Sequence, residues 1–390
     1  MTRLIVLASA SFAVIGACLT LPGTLLPLLV VDFDIRLVEA GSMLALQQIG
    51  YLLSVVIGAR RVIERFGLRA VVSYGLLLFG SGVGAFGTVP GWLGGAVAMF
   101  ASGLGFGAME VAINTLIIEA SGPRRSNMLN LTHLFFGVGS FIAPVLVTRA
   151  VTAGAPWRTI FVLTGVLTAA VGLAWRSLPF GGRVEADTAS RPPAPAHLRS
   201  ALIMLLAATL GVYVGVEVGV GSWLTQYLVT VRATSLTFAG NALSVYWLGL
   251  AGGRLVLSVL AHRAAESLLV FALTLVATVS LAAGVLVGDA RLAMVCFGAT
   301  GIGYSGIFPG VIALGGRVHP QQLAAVTSVL VAGAGMGSIV IPWLMSAIAD
   351  GFGLTAGMGF FVVMTAVMSV LAAIVHQRVT RAHGGELDGD

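Results

Sequence analysis

Of fifteen acidic residues, only Glu110 and Glu217 stand well inside long apolar runs. A charge at the centre of such a run costs roughly 2.5–3.5 kcal/mol among hydrocarbon, and helix packing does not require it. Each is therefore read as a carboxyl that faces water and trades its charge for a proton, as ion coupling requires. The structural alternative is a protonated acid hydrogen-bonded across a helix contact. Gly103, Gly107, Glu110 and Asn114 follow at i, i+4, i+7 and i+11, one helical stripe that ends in two polar groups. Tyr213 and Glu217 share a face one turn apart, and Asn130 and His133 open a further run, with His133 in line with Gly137. Amide, imidazole and phenol groups bond ligand hydroxyls as donor or acceptor. His133 also titrates near neutrality, or else is a hydrogen-bonded structural group.

Glu110 is thus the candidate proton-coupling residue, and Asn114, His133, Tyr213 and Glu217 are candidate substrate contacts. Gln47, Gln48 and Asn241 either line the path or bridge helices. Trp223, Trp247, Tyr246 and Tyr304 either stack on a sugar ring or flat ligand, or pack between helices. An enzyme is not expected: no His-Glu-x-x-His, Gly-x-Ser-x-Gly or cysteine–histidine grouping occurs. A P-loop is also missing, which points to a proton or sodium gradient rather than ATP, with no cofactor. Cys18 and Cys296 have no metal or redox spacing and read as packing residues, so no metal is expected.

The elements that carry these residues must be membrane helices. The chain is 58% hydrophobic and 9% charged, with mean hydropathy +1.02; a soluble domain carries roughly 25% charged residues. Twelve apolar runs approach the length needed to cross hydrocarbon, about 20 residues each: 4–30, 41–58, 70–88, 93–118, 128–151, 158–175, 199–229, 237–261, 267–287, 292–316, 325–349 and 354–376. The first is far longer than a signal-peptide core and reads as a span that stays. All basic charge is arginine. With the N-terminus inside, only Arg36, Arg149, Arg158, Arg232 and Arg291 fall outside, and the other sixteen fall inside. That asymmetry predicts both termini in the cytoplasm and explains the high pI without nucleic acid. The expected setting is the inner (cytoplasmic) membrane, where a monomer contacts the bilayer and a small-molecule solute.

Gly137-Val-Gly139-Ser-Phe-Ile-Ala-Pro144 returns 198 positions later as Gly335-Met-Gly337-Ser-Ile-Val-Ile-Pro342. The same offset carries Gly103-Leu-Gly105 onto Gly301-Ile-Gly303, and Glu64-Arg65 onto His262-Arg263. The chain therefore reads as a duplicated six-helix unit with both copies in one orientation, a plan common among secondary transporters. The expected division is an N-terminal bundle over 1–175, a cytoplasmic linker over 176–198, a C-terminal bundle over 199–376 and a disordered cytoplasmic tail over 377–390. The segment from Arg60 to Arg69 is read as an inner loop in which Arg61, Glu64, Arg65 and Gly67 cap helix ends and pair charges across helices. Arg254 stands at the matching place in the second half, where it either joins that gating latch or snorkels.

The turn Glu64-Arg65-Phe66-Gly67-Leu68-Arg69 resembles the span 2–3 signature of the major facilitator superfamily, usually Asp, Arg, Gly, Arg and Lys. Here the acid is glutamate, Arg60 replaces the first glycine, and Leu68 occupies a basic place. Within the superfamily, Gly105-Phe-Gly-Ala-Met-Glu110-Val-Ala-Ile-Asn114 is similar to span 4 of the fucose:proton symporter family. Tyr213-Val-Gly215-Val-Glu217-Val-Gly-Val-Gly221-Ser222-Trp223 is similar to span 7 of its glucose/galactose members, and Asn130-Leu-Thr-His133 also resembles relatives there. The resemblance implies an all-α fold of twelve helices in two pseudo-symmetric halves, with uptake of a hexose-like solute and Glu110 as coupling acid. One departure is that Pro22-Gly23-Thr24-Leu25-Leu26-Pro27 lacks the aspartate those symporters carry before this Leu-Leu-Pro. The alternative is a proton-coupled exporter of drugs or metabolites; its span 5 signature sets a Gly-Pro pair where this chain has Ala143-Pro144.

Overall fold

A chain this apolar can enter lipid only if its backbone groups bond internally, which favours helices. The computed structural model describes residues 2–122, 125–177, 200–260, 265–318 and 322–385, and the regular elements among them are all helical. They are α1 (Thr2–Asp32), α2 (Leu37–Leu53), a π-helical turn (Ser54–Gly58), α3 (Ala59–Phe66), α4 (Leu68–Phe86), α5 (Trp92–Ser121), α6 (Arg125–Thr152) and α7 (Trp157–Ala174). After a short 3-10 turn come α8 (Ala201–Thr230), α9 (Leu236–Leu260), α10 (Glu266–Leu286), α11 (Ala290–Tyr304), α12 (Ile307–Val318), α13 (Leu323–Phe352) and α14 (Leu354–Gly385). Ten helical stretches are long and apolar enough to cross a membrane. Adding α2, continuous through the π turn into α3, and the 25-residue α9 gives twelve segments among the described residues. Large apolar side chains such as Leu163, Val166, Val279 and Leu286 lie open on helix surfaces, as expected where lipid replaces water.

Three sequence expectations change. The stretch expected as a loop over Arg60–Arg69 is helical except at Gly67, whose φ of +79° breaks α3 from α4. Residues 377–385, expected to be disordered, continue α14. The tenth span is broken at Ser305-Gly306, just after Tyr304. The linker from 178 onward, His262-Arg263 and residues 386–390 lie outside the described residues.

Contacts divide the chain into two units: Met1–Ala189 with Leu224–Ser244, and Ser190–Trp223 with Val245–Asp390. The hairpin of residues 224–244 thus groups with the first unit. There Gly240 lies against Thr148 and the Pro144 carbonyl, and the Thr152 and Thr237 hydroxyls meet at 3.1 Å.

Each unit repeats the same backbone contacts. In the first, Gly105 lies against the Phe79 amide and Gly139 against the Ala13 carbonyl; in the second, Gly303 lies against the Ala277 amide and Gly337 against the Gly211 carbonyl. All four positions of each pair differ by 198. Gly103 meets Gln47 and Tyr51, and Gly301 meets Tyr246 and Leu250. A methyl at any of these glycines would overlap the partner backbone, so the duplicated glycines set how closely the helices approach.

Candidate functional site

In the first unit, the glycine stripe on α5 determines what Glu110 meets. Gly103 and Gly107 let α2 approach until the Tyr51 carbonyl lies 2.6 Å from a Cβ built at Gly107. The Tyr51 hydroxyl then lies beside the half-buried Glu110 carboxyl, and its ring stacks on Phe106 with centroids 4.8 Å apart. The π turn begins three residues after Tyr51, at Ser54; such widened turns recur at functional sites. One turn beyond Glu110, Asn114 Oδ1 lies 3.1 Å from His133 Nε2 on α6, and the His133 ring lies 4.4 Å from that of Phe12.

His133 is exposed, but not on the apolar side of its helix. Leu131, Phe135, Val138, Ile142 and Leu146 form the exposed apolar stripe of α6. At 100° per residue, Asn130, His133 and Gly137 lie on another face. An imidazole and an amide belong on the wet side, because an unmet polar group in hydrocarbon costs several kcal/mol.

In the second unit, Glu217 and Tyr213 of α8 face Arg254 of α9. Arg254 Nη2 stands 3.8 Å from Glu217 Oε1, and the Tyr213 hydroxyl lies beside both. Tyr246 donates to the Glu217 main-chain carbonyl at 3.0 Å, and the Tyr304 hydroxyl meets Thr365 Oγ1 at 2.9 Å. The rings of Tyr213 and Tyr246 both approach Tyr304 edge-on, at 5.9 and 6.4 Å. Arg254 thus turns to an acid of its own unit.

The remaining candidates separate. Gln47 is buried and donates to Ser102 Oγ at 2.9 Å, so it bridges α2 and α5. Gln48 is half-buried. Trp223 is fully buried in α8 with its indole N–H unbonded, and the Trp247 ring packs at Gly221. Arg61, Glu64 and Arg65 are exposed on α3, where Arg65 covers the Phe66 ring at 5.4 Å. Cys18 packs in α1 against Thr168 Oγ1 at 3.4 Å. Sequence reading missed Tyr51, although Gln47 and Tyr51 share one face of α2.

The family model described as Major Facilitator Superfamily matches residues 8–288. The chain is a member of the Major Facilitator Superfamily. It is accordingly a multi-pass membrane protein. Bypass of stop codon protein 6 of Saccharomyces cerevisiae is 24% identical over 288 residues, covering 66% of this superfamily member and 56% of that relative. The chain thus spans little more than half the length of the curated relative it matches. In fold, it is similar to a bacterial homolog of the human lysosomal transporter Spinster, in its inward-facing and occupied conformation. The TM-score is 0.81 at 13% identity, with 96% of this chain and 97% of that one covered. It is also similar to the E. coli fucose:proton symporter FucP, at TM-score 0.64 and 19% identity, covering 95% and 98%. The superfamily member thus shares its fold with a sugar symporter named for its proton.

Proposed function

We propose that this transporter moves a small polar solute, of the sugar or polyhydroxy class, across the inner membrane by alternating access, coupled to protons carried by Glu110. The observation that supports this reading is the Glu110 carboxyl at mid-helix, beside the Tyr51 hydroxyl and one turn from the Asn114–His133 pair. A mid-helix carboxyl carries its proton while buried and gives it up where water reaches it. Asn114 and His133 then hold ligand hydroxyls beside that acid, so that loading of solute and proton share one place. The similarity to FucP, a fucose:proton symporter by its description, agrees with this.

The experiment compares solute counterflow with accumulation driven by a pH gradient, in proteoliposomes, against a panel of hexoses and lipophilic cations. Glu110→Gln should abolish gradient-driven accumulation while leaving counterflow. Accumulation that survives the change would remove Glu110 from the coupling step. Movement of lipophilic cations with no movement of hexoses would favour an exporter.

A further inference from the structure

The Glu217–Arg254 pair of the second unit is loosely made. Its nitrogen–oxygen separation is 3.8 Å, whereas a charge-assisted N–H···O bond closes to about 2.7–2.9 Å. The Arg254 side chain keeps 44% of its surface open, against 14% for Glu217, so its donors can be reached from outside the pair. Beside both lies the fully buried Tyr213 hydroxyl, which reaches toward Glu217 and Arg254 without closing a short hydrogen bond to either. The neighbouring Tyr246 and Tyr304 hydroxyls are bonded to the Glu217 carbonyl and to Thr365. The repeated fold does not demand this arrangement: 198 positions earlier, Leu19 and Val56 stand where Glu217 and Arg254 do. A half-open arginine, an acid held off from it and a phenol beside both offer donors suited to an anionic, acceptor-rich ligand.

We propose that Arg254 and Tyr213 bind the carboxylate of a polyhydroxy acid, with the ligand displacing Glu217 from the guanidinium. This rests on the polar-solute reading above and narrows its substrate class to sugar acids, the aldonates and uronates. A guanidinium donates to both oxygens of one carboxylate side by side, and Tyr213 supplies a further donor. Glu217 takes up a proton as it is displaced, so the one arginine then balances one ligand charge and a monoanion fits; a second ligand charge would stay uncompensated. A neutral sugar gains nothing from the fork and leaves the guanidinium facing Glu217.

The test is binding by the purified full-length transporter in detergent, measured calorimetrically with D-gluconate, D-galacturonate, D-glucose and D-galactose. Each acid is expected to bind about tenfold or more tighter than its parent sugar, a difference of about 1.4 kcal/mol. Arg254→Gln should erase that preference. Glu217→Gln should strengthen acid binding, because it removes the competing anion, whereas a purely structural ion pair would weaken on either change. Equal affinity for acids and sugars would overturn the carboxylate site and leave the sugar reading standing. Acid binding weakened alike by both substitutions would overturn it too. Binding of none of the four probes would overturn both readings together.

Discussion

At the residue scale, Tyr51 and Arg254 define what the two acids can do. Glu110 lies beside a neutral phenol, whereas Glu217 also faces a guanidinium. The first arrangement suits a group that gains and loses a proton; the second suits one that competes for a fixed charge. Tyr51→Phe keeps the ring stacked on Phe106 and removes only the hydroxyl. A hydrogen bond to a charged group is worth about 1.5–3 kcal/mol, so gradient-driven uptake should fall by about tenfold or more, with a loss of thermal stability no larger than that interaction. Uptake equal to wild type would show that the phenol plays no part. Gln47 illustrates the opposite lesson. Its type suited a ligand contact, but its amide goes to Ser102, and nothing in a single helix announces which partner a glutamine will find.

At the scale of elements, glycine is the device that sets distance. Gly103 lies against the Gln47 carbonyl, so a methyl there overlaps backbone, whereas Gly359 on α14 has nothing within 4 Å. Gly103→Ala should therefore lower stability by about 1–3 kcal/mol through overpacking, and Gly359→Ala should stay within about 0.5 kcal/mol. Thermal unfolding of the two variants in detergent, followed by fluorescence, checks the contrast; equal losses would mean that close approach does not hold α2 to α5. The helix breaks belong here too. The π turn after Tyr51 and the interruption after Tyr304 each lie beside a tyrosine of one candidate site. Irregular backbone is tolerated at membrane depth only where protein or water meets its freed groups.

At the scale of the whole molecule, the arginine asymmetry predicts a direction. Residue 153 lies exposed in the turn between α6 and α7, and Arg378 lies exposed near the end of α14. With Cys18 and Cys296 replaced by alanine, cysteines introduced at Ala153 and Arg378 should react with an impermeant maleimide from opposite sides. The Arg378→Cys variant should label only in inside-out vesicles. Labelling in right-side-out vesicles would reverse the orientation and remove the positive-inside account of the basic charge.

Much of this was legible in the residues themselves. Apolar run length marked the segments, since hydrocarbon thickness sets a minimum that composition must meet. The offset of 198 marked the duplication, and the repeated glycines proved to be the repeated contacts. Glu110 and Glu217 stood out by the cost of an acid inside an apolar run. Helix continuity was harder to read: charged residues from Arg61 to Arg65 looked like a loop because polarity signals exposure, and an exposed helix is polar as well. Tertiary structure alone decided the pairings, Tyr51 with Glu110, Arg254 with Glu217 and Gln47 with Ser102. The reason is geometric. A helix fixes which side chains share a face, but which face meets which neighbour depends on contacts summed over whole helices, and no local spacing contains that sum.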